Sequence, residues 1–535
     1  MAALTATEKV GVEDIGRNQR ILALTSVIAT LLAVTLNQAL SIPALPRAIA
    51  GLNGFARYSW PTTSFLLTST IAMPVFAKLS DLFGRKLFYL CATTIFLLSL
   101  FLCGAAGNLP INLAGMSQLI AALGALGLGS GAITALSFTL IADLFAPSER
   151  GRYQGILAAV SGAAYIVGPS LGGWITDHFS WRWVYYGDAP LAAVALSIAY
   201  FTLPDIRVGR VRRGFDRARI DWAGIALLCG WLVPLLLALT WVGQSSWPSP
   251  LIRSLPIVSF GLLAAFLVVE KRAAEPLLAL GLFRVRRISL VSANFFLLGI
   301  SLFGVAVYLP LFHQGVLGAS AAKSGVVFAE YTLAIIAGSV TAGQLLSQTG
   351  ASRLLVIAGA GLSTVGLILL SRMNGGTTQL ELVSNAAICG IGFGALTPTY
   401  EVLVQNASPP EQMGVATGST QFFRTIGGTI GLALFGTILL KLYRQHIDGL
   451  IPRGTPVALM RAFDNPLQLV FTRPNLETAF SQAANGRVLL ATLLDGARIG
   501  LLSALHVIFL FGAGIMAISF VLNLFLSAES TPEDS

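Results

Sequence analysis

Long apolar runs separated by short polar segments recur from one end of this chain to the other, and they set its architecture. Fourteen can be marked: Ile21–Ala44, Trp60–Leu79, Leu87–Ala106, Leu113–Ala142, Tyr153–Trp174, Val184–Leu203, Trp222–Val242, Ser254–Val269, Ile288–Phe312, Ser324–Leu346, Leu354–Leu370, Leu382–Leu403, Val415–Leu440 and Leu502–Phe525. A run of roughly 20 apolar residues crosses the ~30 Å hydrocarbon core of a bilayer as a helix. Backbone polar groups find no water there, so spanning segments satisfy them internally. The pattern therefore predicts an all-α integral membrane protein with fourteen spans, the eighth being the shortest.

Composition agrees with that pattern. The chain is 55% hydrophobic and 11% charged over 535 residues, with a mean hydropathy of +0.77, where a soluble domain carries roughly 25% charged residues. Met1–Arg20 is polar, and the first apolar run is too long for a cleaved signal core, so span 1 is expected to be retained. The formal charge of +10 does not point to nucleic acid, because of where it falls. With the N-terminus inside, 20 of the 34 Lys and Arg residues lie in inner segments, six of them arginines between Arg207 and Arg219. That is the positive-inside bias of a plasma-membrane protein with both termini cytoplasmic. The arginine run reads as a topology anchor, with anionic lipid headgroups as a further partner. Cys91, Cys103, Cys229 and Cys389 all fall inside spans without metal-ligand or redox spacing, and they read as packing residues.

An internal repeat divides the chain. The loop AKLSDLFGRK at Ala77–Lys86 has a worn copy, GQLLSQTGASR, beginning at Gly343, with Ala77, Leu79 and Gly84 matched by Gly343, Leu345 and Gly350 at a constant offset of 266. The tripeptide ALP at Ala44–Pro46 is echoed by YLP at Tyr308–Pro310, 264 residues on. Repeats of this kind build secondary transporters, with the substrate site where the halves meet. The expected organisation is a cytoplasmic N-terminus over 1–20, a six-helix bundle over 21–203, and a basic linker with two inserted helices over 204–287. A second six-helix bundle follows over 288–526, containing an outer excursion at 443–501, and a cytoplasmic tail occupies 527–535. Within the excursion, Gly486–Leu505 alternates apolar residues with Arg487, Asp495 and Arg498, a pattern suited to a helix lying on the membrane surface.

The Ala77–Lys86 loop resembles the signature between the second and third helices of the major facilitator superfamily, small-x-x-x-Asp-x-x-Gly-Arg-Lys. Gly84 permits a tight turn, and Asp81 can pair with Arg85 or Lys86. The resemblance implies that Asp81 also faces a helix N-terminus of the other bundle and latches the outward-open state, a contact worth ~0.3–1 kcal/mol. Span 5 carries GAAYIVGPSLGGW, with Gly162, Gly168, Pro169, Gly172 and Gly173. Small residues four apart let helices approach closely, and Pro169 frees a backbone carbonyl and bends the helix. This stretch is similar to the fifth-helix signature of antiporters in the superfamily. Together with WRWVYYGDAP at Trp181, EPLLALGLFR at Glu275, YLPLFHQGVLGAS at Tyr308 and the Gln405–Gly436 segment, it resembles the fourteen-helix drug:proton antiporters of bacteria from about Leu31 to Phe525.

Two departures from that family stand out. Its members carry an acid in span 1 where this chain has Asn37, and an arginine in span 4 where it has Leu123. Proton coupling is then expected to use other ionisable groups. Glu330, about seven residues into span 10 and so roughly 10 Å deep, is the first choice, because intramembrane acids are functional candidates by default. Its alternative is local pairing with Lys323 or a tyrosine at a wet helix end. Arg424 lies near mid-span in span 13, where facing lipid would cost ~2.5 kcal/mol or more, so it should face the interior and meet an acceptor, either holding span 13 against its neighbours or taking part in proton coupling. Glu401, near the inner end of span 12, is a coupling residue or a snorkelling or inner-gate carboxylate. Asp188 is expected to be wet, at an outer gate. Asn37, Gln38, Asn294 and Asn385 are uncharged polar groups that line a cavity or bond between helices. His313 and His506 have no partner pattern and read as interfacial or packing residues.

There is no phosphate-binding Gly-Lys-Ser/Thr loop and no clustered metal-ligand pattern. The sequence therefore points away from an enzyme and requires no metal or cofactor. It predicts a monomeric, proton-coupled exporter of amphipathic, hydrophobic or cationic small molecules. Two other classes stay open: an exporter of one native lipid, siderophore or metabolite, and a membrane receptor that keeps the fold without net transport.

Overall fold

The computed structural model describes residues 17–145, 147–204, 222–242, 250–272, 280–408, 413–448 and 486–526. The Arg207–Arg219 run, the tail over 527–535 and most of the 443–501 excursion lie outside the described residues.

Among the described residues, fourteen long helices carry the fold. The first six are α1 (Arg17–Gly51), α2 (Trp60–Phe83), α3 (Arg85–Ala105), α4 (Gly115–Leu144), α5 (Pro147–His178) and α6 (Trp183–Thr202). Then come α7 (Trp222–Val242) and α8 (Pro250–Arg272). The last six are α9 (Arg286–Leu311), α10 (Ala321–Thr349), α11 (Ser352–Ser371), α12 (Gln379–Asn406), α13 (Met413–Asp448) and α14 (Gly486–Leu524). Among the described residues, twelve helices are long and apolar enough to cross a membrane, and α7 adds a shorter apolar stretch, Ala226–Leu239.

Helix pairing repeats eight helices apart. The contacts α1–α5, α1–α6, α2–α4, α3–α4 and α3–α6 recur as α9–α13, α9–α14, α10–α12, α11–α12 and α11–α14. One buried core, including Leu31, Tyr89, Phe96 and Leu136, belongs to α1–α6. A second, including Phe295, Leu367, Phe393 and Phe509, belongs to α9–α14 and draws in Leu45, Phe55 and Tyr58 from the first bundle. A third, smaller core joins α7 and α8 to α13 through Trp231, Phe266 and Ile426. The repeated glycines have one physical reason: Gly84 (φ 108°) ends α2 and Gly350 (φ 64°) ends α10, both at positive φ, which side chains resist.

The end of the molecule bearing Gly51, Asp177 and Ala321 is termed distal here, and the end bearing Gly84 and Gly350 proximal. The two bundles touch along two seams, α5–α10 and α2–α13. Along the first, the seam is tight distally. A Cβ on Gly173 would collide with the carbonyl of Ala321, and one on Gly325 with the carbonyl of Pro169. Midway it loosens, Gly162 having only Ile336 Cδ1 at 4.0 Å, and proximally Gly155 and Gly343 meet nothing within 4 Å. Gly168 and Gly172 face inward instead, against Ala39 and Leu40 of α1.

One expectation is corrected. Gly486–Leu505 is not a separate surface helix but the first half of α14, which runs unbroken for 39 residues. Its apolar positions Leu494, Ala497, Leu501 and Leu505 are buried, and Gly500 lies close to Tyr443 and His446 near the end of α13. The amphipathic period there reports packing against a neighbouring helix that runs on to Asp448.

Gly173→Val is expected to lower the thermal unfolding midpoint of the purified protein in detergent, by a destabilisation of about 1–3 kcal/mol for overpacking against backbone. Gly162→Ala should leave it within ~0.5 kcal/mol.

Candidate functional site

Between the bundles lies a cavity of about 880 Å³, lined by α1, α2, α4, α5 and α6 on one side and α9, α10, α12 and α13 on the other. Its wall is mostly apolar, with Phe65, Phe303 and Phe393 among its rings. Its polar groups include Asn37 and Gln38 of α1, Tyr165 of α5, Tyr331 of α10 and Arg424 of α13. Tyr165 donates its hydroxyl to Gln38 Oε1 at 2.7 Å. Asn37 Nδ2, the Tyr331 hydroxyl and Arg424 Nε are buried without a hydrogen-bond partner among the described residues.

Arg424 is the charged side chain among the described residues of the wall. It is held at depth because α9 and α13 touch there, a Cβ on Gly299 being excluded by the Arg424 carbonyl. Among the described residues, no carboxylate forms an ion pair with Arg424. Glu401 is half-buried, and its Oε1 accepts from Gln421 Nε2 at 2.5 Å. Gln421 and Arg424 share a face of α13 three residues apart. The acceptor expected for Arg424 is therefore not supplied by the described residues.

Of the other candidates, one expectation is corrected. Asp188 is not wet: it is 2% exposed on the inner face of α6, and neither carboxylate oxygen has a partner. Glu330 lies on α10 outside the cavity lining, with Oε2 buried and unbonded. Asn294 is fully buried inside the second bundle, accepting from Ser519 at 2.5 Å and donating to the Leu290 carbonyl at 2.9 Å. Asn385 is buried on α12 and is also absent from the lining. Leu123 and Asn37, where the resemblance expects charges, both face the cavity.

At the proximal end, Arg85 donates from Nε to Asp143 Oδ2 at 2.7 Å and from Nη1 to Ser80 Oγ at 2.6 Å. Lys86 Nζ lies 5.8 Å from the centre of the Tyr200 ring. The Asp81 side chain lies outside the described residues.

The distal end holds a contact that the sequence did not reveal. Asp177 of α5 accepts from the backbone N–H groups of Ala321 (3.1 Å) and Ala322 (2.7 Å), the first two residues of α10. Arg47 of α1 lies 3.8 Å from the same carboxylate. The helix N-terminus favours the negative charge. Gln314 Nε2 donates to the Pro43 carbonyl at 2.9 Å and the Tyr58 hydroxyl to the Val307 carbonyl at 3.3 Å, adding further bonds between the bundles. A signal was available in the spacing, since Pro169, Gly173 and Asp177 recur every four residues on one face of α5, the face that meets α10.

Residues 27–432 match the family model described as Major Facilitator Superfamily. The chain is 31% identical over 519 residues to the multidrug transporter protein MdtP of Bacillus subtilis, covering 95% of this chain and 93% of that one. It is 33% identical over 407 residues to multidrug resistance protein 3 of the same organism, covering 76% and 77%. Among solved structures it resembles the inward-facing, occupied form of a bacterial homolog of the human lysosomal transporter Spinster, with a TM-score of 0.60, 15% identity, and 97% and 100% of the two chains covered.

Asp177→Asn removes the charge from the distal contact, a loss of about 1.5–3 kcal/mol for hydrogen bonds to a charged group, and should populate conformations with the distal ends apart. Spin labels at the exposed positions Phe179 and Leu380, in a background with the four cysteines replaced by alanine, are expected to show a longer distance component than in the parent.

Proposed function

The chain belongs to the major facilitator superfamily, and from that premise we propose that it exports amphipathic, multidrug-type compounds across a bacterial plasma membrane by proton-coupled alternating access. The observation that carries this reading is the cavity of about 880 Å³ between two bundles, tight at one end of its seam and loose at the other. Its size lies within the ~300–1,000 Å³ of pockets for drug-sized ligands, and its wall is apolar with a few polar groups. The names of the relatives in Bacillus subtilis support the multidrug class.

With the proximal end in the cytoplasm, as the distribution of basic residues implies, this is an inward-open conformation. Substrate enters from the cytoplasm or inner leaflet. The bundles then rock, the distal contact at Asp177 breaks, and the cavity opens outward. Gly173 of α5 and Gly325 of α10 permit the close distal contact that seals the inward-open state. Asp81, Gly84, Arg85 and Lys86 hold the proximal ends in the opposite state.

Protons moving inward would drive the cycle. Glu330 and Asp188 have carboxylate oxygens without protein partners, so each can take up a proton without breaking an ion pair. Glu401 would pass a change of charge toward Arg424 through Gln421, which bonds it from the same face of α13. Glu330 remains the first choice for the proton carrier.

In proteoliposomes, a fluorescent amphipath is expected to move faster when a pH gradient is imposed, and Glu330→Gln should abolish that dependence while leaving substrate binding intact. Unchanged pH dependence in the variant would remove Glu330 from the role. No gradient-driven movement of any dye would count against the exporter itself.

A further inference from the structure

We propose that the ligands of this cavity carry an anionic or oxygen-acceptor head group that Arg424 holds, and that lipophilic cations are its poor ligands. Transport of a bound ligand rests on the exporter reading; its binding does not.

The wall has an imbalance of donors. Arg424 brings a guanidinium for which no described residue supplies a hydrogen bond or ion pair, and its Nε is buried without an acceptor. Asn37, 1% exposed, has an unpartnered Nδ2, and the Tyr331 hydroxyl is likewise unpartnered. The acids are placed elsewhere: Glu401, Glu330 and Asp188 are all absent from the lining, and Glu401 is occupied by Gln421. A buried cation without an acceptor is costly, so a ligand that brings a carboxylate, sulfonate or phosphate satisfies Arg424 while its apolar body fills the aromatic remainder of the cavity. A ligand that brings a positive charge meets a like charge in apolar surroundings and finds no carboxylate on the wall. The two positions where the resembled family carries charge, Asn37 and Leu123, are neutral and face the same space, so nothing there offsets the field of Arg424.

The test is equilibrium binding to the purified protein in detergent, with no gradient applied. The probes are 8-anilinonaphthalene-1-sulfonate, its neutral counterpart N-phenyl-1-naphthylamine, and tetraphenylphosphonium. The sulfonate is expected to bind on the order of tenfold more tightly than tetraphenylphosphonium, the worth of one charge-assisted hydrogen bond. Arg424→Gln should remove that preference while holding the neutral probe within about twofold, and Arg424→Lys should keep part of it. Tetraphenylphosphonium bound as tightly as the sulfonate by the parent protein, or sulfonate binding unchanged in Arg424→Gln, would overturn the proposal. If Arg424→Gln does not fold, the ranking of probes by the parent protein and the lysine variant decides. Displacement of the sulfonate by phosphatidylglycerol but not by phosphatidylcholine would support the same head-group site and assign its source to lipid. Because binding is read without transport, failure of gradient-driven efflux would remove the exporter reading and leave this one standing, and the reverse also holds.

Discussion

Two helix backbones in contact hold this molecule in its present shape. Inside hydrocarbon the lipid tails are as apolar as leucine, so helices gain little from burying apolar surface against each other. They associate instead through close packing and hydrogen bonds. At the distal end of the α5–α10 seam, Gly173 and Gly325 remove the side chains that would keep the backbones apart. Once they touch, the carboxylate of Asp177 comes within reach of the first N–H groups of α10. The cavity follows from this contact: because the seam is tight at one end and loose at the other, an apolar space opens between the bundles.

A second constraint is the scarcity of charge. In a medium where an isolated ion is expensive, the position of each remaining charge matters more than the total. The first bundle lines the cavity with Asn37, Gln38 and Leu123, all neutral, and the charge arrives from the second bundle on Arg424. Rocking the bundles would therefore carry the guanidinium relative to a neutral face, so the cycle does not have to separate an ion pair across the cavity. The ion-pairing lies at the helix ends: Arg47 with Asp177 keeps partial exposure, while Arg85 with Asp143 is mostly buried and is completed by Ser80.

The helices, their repeat and the turn glycines were legible in the chain because each depends on local properties. Apolar run length marks the spans, and a turn at positive φ needs glycine at Gly84 and again at Gly350. Which way a side chain points was less legible, since a shift of one residue turns it by ~100° around the axis. Glu330 and Tyr331 are neighbours, yet only the tyrosine lines the cavity. Depth along a helix did not give exposure either: Asp188 near the end of its span is buried, because α6 turns that face toward α1 and α3. By sequence Asn294 could line a cavity or bond between helices; its partner Ser519 lies more than two hundred residues away. Contacts of that separation, like that between Asp177 and Ala321, have no local trace beyond the four-residue spacing on α5.

The inserted pair makes the two seams unequal. α7 lies against α13 and reaches α2, with Trp231, Phe266 and Ile426 filling the join and Thr437 bonded to the Leu239 carbonyl. The α5–α10 side presents Val167, Trp174, Val326 and Leu333 outward. A solute dissolved in the bilayer thus meets a building with two side walls, one fitted with an annexe and one bare. A protein made of two alike halves thereby acquires a front and a back.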